Sequence, residues 1–340
     1  MSSAPLVVVD ADVLGRERTG DETYVRNLLR ELAPLAAGTG LRLAAVTRHP
    51  ELVPDGIEPV QLRARTQELR MAFSLPRALR RLGASLAHTQ HALPLRPPCP
   101  CIVTVHDLSF EREPGLMGRK DRFVFRRVVP RAVRDAARVL AVSERTKRDL
   151  VDLYDVPPAK VVVTPNGVDP AFSPGDGARD YALAVGAIQR RKNQLAALEG
   201  AAAVGLPLVI AGPAKDSGLA GELRRSGARL EGYVETERLA ELYRGAACLV
   251  QASRFEGFGL PVLEAMACGT PVVAVREAAL EEVAGDAAVF VEEGALADGI
   301  RRALEERDRL VAAGLERARA FSWRATAERT LAVYREILGA

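Results

Sequence analysis

The sequence predicts two doubly wound α/β domains, each built on a parallel sheet and facing the other across a cleft. Three observations carry that expectation. The chain has 340 residues, and single cores stop growing below that length, so two domains of roughly 150 residues each are expected. Short apolar runs alternate with stretches of helical period from one end to the other, the rhythm of successive βαβ units. A dense group of turn formers interrupts the rhythm midway: Thr164-Pro165-Asn166-Gly167-Val168-Asp169-Pro170, then Ser173-Pro174-Gly175-Asp176-Gly177. It divides the chain into an N-terminal domain over 1–170 and a C-terminal domain over 171–340, with the C-terminal helix free to cross back to the first domain.

In the first half, strands are expected at Leu6–Asp10, Leu41–Val46, Ser85–Thr89, Cys101–His106, Arg138–Val142 and Lys160–Thr164. Amphipathic helices are expected between them, for example over Glu22–Leu35 and Arg145–Tyr154, the second capped by Ser143. The second half repeats the pattern with strands at Tyr181–Val185, Leu206–Ala211, Leu230–Val234, Cys248–Ala252, Pro271–Val275 and Val289–Val291. These runs are continuously apolar rather than alternating, as in a parallel sheet covered by helices on both faces. Both domains therefore read as Rossmann-like.

Composition narrows the function. With 48% hydrophobic and 27% charged residues the chain is an ordinary globular protein. No apolar run approaches the roughly 20 residues that span a bilayer, and Leu6-Val7-Val8-Val9 is too short for a signal-peptide core. Four cysteines without a CxxC pair and four scattered histidines offer no zinc spacing and suit a reducing compartment. A cytoplasmic protein is expected, with no nucleic-acid partner, no metal and no bound cofactor; its oligomeric state is not legible. Residues 1–170 hold 26 Lys+Arg against 20 Asp+Glu, and the remainder 21 against 24, so the first half is the one expected to meet an anion.

Nucleotide cofactors of the common kinds do not fit. The first strand runs into Asp10-Ala11-Asp12-Val13-Leu14-Gly15, without the GxGxxG that a dinucleotide needs, and no GxxxxGK[ST] loop is present. Asp10-Ala11-Asp12 has the form of a metal-holding DxD. Its place at the end of the first strand reads instead as a strand terminus whose aspartates feed a turn.

The stretch richest in chemistry is Glu256-Gly257-Phe258-Gly259-Leu260-Pro261-Val262-Leu263-Glu264-Ala265-Met266-Ala267-Cys268-Gly269-Thr270-Pro271. A strand ends before it, a glycine-rich loop follows, and a helix opens near Leu260–Pro261, where proline suits the first turn. Backbone N–H groups at such a helix start favour a phosphate or a developing negative charge. Glu264 falls one turn into that helix, where it can face the same crevice as Glu256.

This stretch resembles the signature of the retaining glycosyltransferases of family GT4, which have the GT-B fold of two Rossmann-like domains. Further matching pieces are Arg18-Thr19-Gly20 before Tyr24-Val25-Arg26-Asn27-Leu28-Leu29, Thr104-Val105-His106-Asp107-Leu108, Val142-Ser143-Glu144, and Gly186-Ala187-Ile188-Gln189-Arg190-Arg191-Lys192-Asn193. The resemblance covers nearly the whole chain and implies roles residue by residue. Glu264 matches a glutamate that binds the donor's ribose, and Glu256 one that contacts hydroxyls of the transferred sugar. The loop Gly257, Phe258, Gly259 and Leu260 would hold the sugar and its phosphate. Arg191 and Lys192 match the pair that clamps the diphosphate. Gly20, placed in the loop after the first strand, would let the backbone approach the phosphates, and His106 would lie beside the donor sugar. Where relatives often carry Gly-Ile-Gly-Arg-Tyr, this chain has Gly20-Asp21-Glu22-Thr23-Tyr24.

What the resemblance implies is transfer with retention of configuration from a nucleotide-diphosphate sugar, GDP-mannose first and UDP-glucose next, to a glycan or lipid-linked acceptor. A nucleotide-sugar epimerase of the same fold and a non-catalytic nucleotide-sugar-binding relative are the alternatives. A peripheral membrane contact is also open. Residues 118–138 carry Arg119, Lys120, Arg122, Arg126, Arg127, Arg131, Arg134 and Arg138 against Asp121 and Asp135. On an uninterrupted helix Lys120, Arg127, Arg131, Arg134 and Arg138 would share a face opposite Phe125, Val129 and Ala136, able to rest on anionic lipid. Pro130 is expected to kink or divide that helix, and a solvated face over a core-facing stripe is the competing reading.

Overall fold

The computed structural model describes residues 4–16, 19–113, 115 and 118–339, with the side chains of Thr19, Arg119, Lys120 and Asp121 outside that description. Arg18 of the Arg18-Thr19-Gly20 piece also falls outside it. The described chain forms two α/β units. It passes from the first to the second between Gly167 and Val168 and returns to the first at Trp323.

In the first unit the strands are β1 (Leu6–Asp10), β2 (Arg42–Thr47), β3 (Glu58–Gln61), β4 (Leu86–Gln90), β5 (Cys101–Val105), β6 (Arg138–Ala141) and β7 (Val161–Val163). They make one sheet in the order β3-β2-β1-β4-β5-β6-β7, and every neighbouring pair is parallel. The second unit holds β8 (Tyr181–Val185), β9 (Leu208–Ala211), β10 (Arg229–Gly232), β11 (Ala246–Gln251), β12 (Val272–Val275) and β13 (Val289–Val291). Their order, β10-β9-β8-β11-β12-β13, is again wholly parallel. Each sheet is doubly wound, and its order reverses between its first and fourth strands, β1/β4 and β8/β11. In sheets of this kind ligands bind outside the carboxyl ends of the strands at that reversal.

Burial explains why these segments are strands. All five residues of β1 and all six of β11 are buried, so each faces helices on both sides. β3 is absent from the sequence expectation because Glu58-Pro59-Val60-Gln61 is polar and carries proline, with only Val60 buried. Such a segment is tolerated at a sheet edge, which is where β3 lies. The helix Glu144–Tyr154 begins as expected: Ser143 Oγ accepts from the Thr146 amide at 3.0 Å. Gly20, expected in a loop, is instead the second residue of the helix Thr19–Ala36. None of the described helices is long and apolar enough to cross a membrane.

The basic segment departs from expectation in two ways. A single helix runs over Arg119–Asp135, through Pro130 rather than divided by it. Val129, Ala132, Val133 and Ala136 pack into the apolar cluster beneath β5 and β6, and that packing outweighs the one backbone hydrogen bond that proline removes. Arg138 does not share the helix face, because it opens β6 and its guanidinium pairs with Glu336. Of the remaining basic residues, Arg126 pairs with Glu111, Arg131 and Arg134 with Asp135, and Arg127 lies 4.4 Å over the Phe123 ring.

The C-terminal helix Trp323–Leu338 is tied to the sheet of the first unit by a buried polar chain. Tyr334 OH lies 2.6 Å from His88 Nδ1, His88 Nε2 lies 2.7 Å from Thr104 Oγ1, and Thr104 Oγ1 lies 3.0 Å from Tyr24 OH. Burial pushes the His88 imidazole down to about 3, so it stays neutral and keeps one donor and one acceptor nitrogen. Tyr334→Phe removes one link and leaves a buried imidazole nitrogen unpaired. It is expected to lower the unfolding free energy by about 1–3 kcal/mol, read as a lower urea midpoint with unchanged m.

Candidate functional site

In the second unit the reversal point joins two strand ends. After β8 the chain passes Gly186, at φ +133°, into a single turn over Arg190–Lys192, and then into the helix Gln194–Ala202. That φ favours glycine, and the Lys192 side chain folds back over its own strand end, its Cε 3.4 Å from where a Cβ on Gly186 would stand. After β11 comes the loop that carries Glu256. Lys192 Nζ reaches Glu256 Oε1 at 2.5 Å, and Arg191 donates to Glu256 Oε2 at 3.4 Å and to the Phe255 carbonyl at 2.9 Å. Gln251, the last residue of β11, donates its side-chain amide to the same Glu256 Oε1 at 2.7 Å. Arg191, Lys192 and Glu256 are thus brought into one cluster, across 64 residues of sequence in the case of Lys192. Burial disfavours the charged form of Glu256, but Lys192 and Arg191 outweigh it and hold the carboxyl below its ordinary range.

The loop then turns into the helix Leu260–Ala267, with Pro261 in its first turn and no side-chain cap. Gly259, at the cap position, has φ +106°, and a Cβ there would lie 2.7 Å from Leu280 Cδ2. The positive φ favours glycine, and any side chain there would also have to displace the Leu280 methyl. Gly257, Phe258 and Gly259 are buried, with the Phe258 ring edge-on to Phe321 at 5.8 Å, while Leu260 is half-buried. Glu264 sits one turn into this helix, buried, and accepts from Tyr243 OH at 2.8 Å. Burial raises its carboxyl to about 7, against the pull of the Tyr243 hydrogen bond, and Asp169 adds to the rise. Sequence reasoning missed Gln251, Tyr243 and Asp169. Tyr243 reads as a core residue of an amphipathic helix, and nothing in spacing reveals its hydroxyl's partner.

In the first unit, His106 follows β5. Its Nε2 donates to Gln90 Oε1 at 2.9 Å, and its ring packs edge-on against Tyr24, with centroids 4.8 Å apart. Burial lowers this imidazole to about 4, with Asp21 opposing and His91 assisting the drop, so His106 is neutral at pH 7. Gly20 is exposed, and a Cβ there would meet nothing within 4 Å.

Asp10 and Asp12 are not arranged for a metal. Arg70 is fully buried and holds Asp10 with both terminal nitrogens at 2.6 Å, with its Nε 3.3 Å from Asp12. Asp12 also pairs with Arg48 at 3.0 Å and Arg16 at 2.8 Å. The turn is present, since the Asp12 amide donates to Asp10 Oδ1 at 3.2 Å, but the aspartates chiefly neutralise a buried guanidinium. Arg70→Met removes the partner of a buried carboxylate and is expected to cost about 3–5 kcal/mol in chemical denaturation. A neutral effect would reopen the pair as a metal site.

The family model described as Glycosyltransferase Family 4 matches residues 18–172, and that described as Glycosyl transferases group 1 matches residues 170–321. The chain is 28% identical over 267 residues to the O-antigen chain mannosyltransferase B of Escherichia coli, covering 69% of this chain and 70% of that protein. It is 34% identical over 242 residues to the D-inositol 3-phosphate glycosyltransferase of Frankia alni, covering 60% of each. To the enzyme of the same name from Acidothermus cellulolyticus it is 32% identical over 283 residues, or 70% of this chain and 62% of that one. The chain thus spans about three fifths of the length of these two relatives. Among solved structures, the sucrose-phosphate synthase of Thermosynechococcus elongatus shares the fold at TM-score 0.80 and 20% identity, covering 98% of this chain and 99% of that one. The Anabaena protein HepE in complex with UDP-glucose does so at TM-score 0.76 and 14% identity, covering 97% and 99%.

Proposed function

Because the chain belongs to glycosyltransferase family 4, with a group 1 glycosyl transferase domain as its second half, we propose that it transfers a hexose from a nucleoside-diphosphate sugar to a hydroxyl acceptor. Transfer proceeds with retention of configuration, in the cytoplasm, as a step in making a cell-surface glycan or another glycoconjugate. Mannose is the first choice of sugar, in line with the mannosyltransferase relative, and glucose the second, in line with the UDP-glucose complex of a structural neighbour. The four free cysteines suit the reducing compartment.

The observation that carries this reading is the Arg191–Lys192–Glu256 cluster at the carboxyl ends of β8 and β11, beside an uncapped helix start. A departing nucleoside diphosphate gains negative charge in the transition state. Two cations already fixed beside it stabilise that charge without reorganising, and the helix start adds its dipole. Glu256 keeps both cations in place and, being ionised, accepts hydrogen bonds from hydroxyls of the transferred sugar. Glu264 binds the ribose hydroxyls. In the first unit, Gly20, with open backbone, and His106, a neutral imidazole, are the residues proposed to contact the donor. The acceptor hydroxyl attacks on the face the leaving group departs from, and the departing phosphate takes its proton. Orientation of the reactants contributes on the order of 7–11 kcal/mol to such a reaction. Charge neutralisation falls to Arg191 and Lys192, and no metal ion is needed.

Lys192→Ala is expected to lower turnover by about one to three orders of magnitude, the loss of one preorganised contact to a developing charge. The assay follows transfer from GDP-mannose or UDP-glucose with EDTA present, alongside a fold check by circular dichroism. Unchanged turnover and donor affinity would remove Lys192 from the site, and an epimerised nucleotide sugar formed without acceptor would identify an epimerase instead.

The two glutamates separate by ligand. Glu264→Gln is expected to weaken binding of the bare nucleoside diphosphate in calorimetry, whereas Glu256→Gln is expected to leave it nearly unchanged and reduce transfer. Equal nucleotide affinity in parent and both variants would overturn the ribose assignment.

A further inference from the structure

We propose that the face formed by Leu69, Phe73 and Leu95, together with Arg77, Arg80 and Arg96, rests on an anionic lipid membrane. These residues come from two segments of the first unit, the helical stretch 67–82 between β3 and β4 and the loop 91–100 between β4 and β5. The stretch opens under a Thr66 cap, widens into a single π-turn over Arg70–Ser74 and continues as the helix Leu75–Leu82. The Met71 carbonyl, in the π-turn, accepts from the Leu95 amide at 2.9 Å, and Arg80 donates to the Arg96 carbonyl at 3.3 Å. The loop is thus laid along the helix, and the two make one surface.

Two observations set this face apart. The first is apolar: Leu69, Phe73 and Leu95 are 45%, 50% and 39% exposed. They are not slack chain. Arg70 beside them is fully buried on Asp10, and Met71 and Leu75 enter the apolar cluster on β1 and β2. A segment anchored in this way presents Leu69 and Phe73 outward by construction, and large apolar side chains gathered on a surface mark an interaction site. The second is charge. Residues 69–100 hold five arginines and no aspartate or glutamate. Arg77, Arg80, Arg81 and Arg96 are exposed and meet no carboxylate among the described residues, and Arg77 lies instead 5.6 Å over the Phe73 ring. The basic helix Arg119–Asp135 differs, since Arg126 pairs there with Glu111, and Arg131 and Arg134 with Asp135.

Unpaired arginines call for an anionic partner, and exposed leucine and phenylalanine for an apolar one. An anionic bilayer supplies both at the same depth. Its phosphates accept from guanidinium groups, while shallow apolar side chains enter the boundary of the acyl chains. The aliphatic stems of the arginines let their heads reach upward as Phe73 and its neighbours go in. A nucleic acid would use the charge and leave Leu69 and Leu95 in water. A second copy of this chain, paired face to face, would set arginine against arginine. The face stands on these residues alone and does not depend on the transferase reading.

The test sediments the full chain with vesicles of phosphatidylcholine and with vesicles of equal parts phosphatidylcholine and phosphatidylserine. Binding is expected to the second kind, weakening as salt rises from ~0.1 M to ~1 M and the screening length falls from about 10 Å to about 3 Å. Leu69→Ser with Phe73→Ser is expected to lower partitioning about tenfold, and Arg77→Ser with Arg81→Ser about fivefold for each arginine removed. All four side chains are exposed, so an unchanged Tm is expected to accompany the loss. Arg131→Ser with Arg134→Ser is expected to bind as the parent does. In Phe73→Trp the added indole should shift its emission to shorter wavelength when anionic vesicles are present. No binding to anionic vesicles at ~0.1 M salt, equal binding by the Leu69→Ser, Phe73→Ser protein, loss of binding through Arg131 and Arg134 instead, or an unmoved Phe73→Trp emission would each overturn the proposal.

Discussion

Both sheets are parallel and covered on both faces, and this constraint decides where polar chemistry can reside. Inside such a layer an unpaired charge is costly, so the strand interiors are apolar, as over residues 6–9 and 246–250, and polar side chains such as Asp10 and Gln251 come at the strand ends. Ionic groups collect at the carboxyl ends, where the chain leaves the sheet, and there each must bring its counter-charge. Arg70 with Asp10 and Asp12 is the instance in the first unit, and Lys192 with Arg191 and Glu256 that in the second. The two clusters look alike on paper but differ in access. Arg70 is fully buried, whereas Arg191 and Lys192 keep 19% and 11% of their side-chain surface, enough for the second cluster to meet a ligand.

The same constraint sets the protonation of the two glutamates that frame the glycine loop. Both are buried, so burial alone would push both upward. Glu256 has two cations within reach and is held low, while Glu264, beside the Tyr243 phenol and the charge of Asp169, rises to about 7. One segment of loop and helix therefore presents a carboxylate that only accepts hydrogen bonds and a carboxyl that near neutral pH can do either. Environments that push two like groups apart in this way are how one site obtains two roles. The histidines of the first unit obey the same logic in reverse: burial keeps His88 and His106 neutral, and neutral imidazoles can link hydrogen-bond chains that a cation could not.

Much of the architecture was legible because it is local. Periodicity and turn chemistry are written within ten residues of where they act. Leu6–Asp10, Tyr181–Val185 and Val289–Val291 appear as strands with the bounds expected, and Ser143 caps its helix. The glycine loop with its following helix was legible for the same reason, since Gly259 and Pro261 declare the helix start in sequence. Where local signal conflicted with packing, packing prevailed. Pro130 sits within an unbroken helix because Val129, Ala132 and Val133 anchor that helix on both sides of it, and the polar edge strand Glu58–Gln61 forms because β2 offers it a ladder.

The sequence by itself determined the two doubly wound sheets, the order of their elements and the position of the glycine loop, because each follows from residue type and spacing over a short stretch. It also marked Lys192, Glu256 and Glu264 as residues worth watching. Only the tertiary structure decided what they touch. That Lys192 meets Glu256, that Tyr243 meets Glu264, that Asp10 neutralises Arg70 sixty residues away, and that His91 lies against His106 all depend on how distant strand ends are brought side by side. Charge pairing and pKa are properties of distance and burial, and neither quantity is carried by sequence spacing once the chain has crossed from one strand to another.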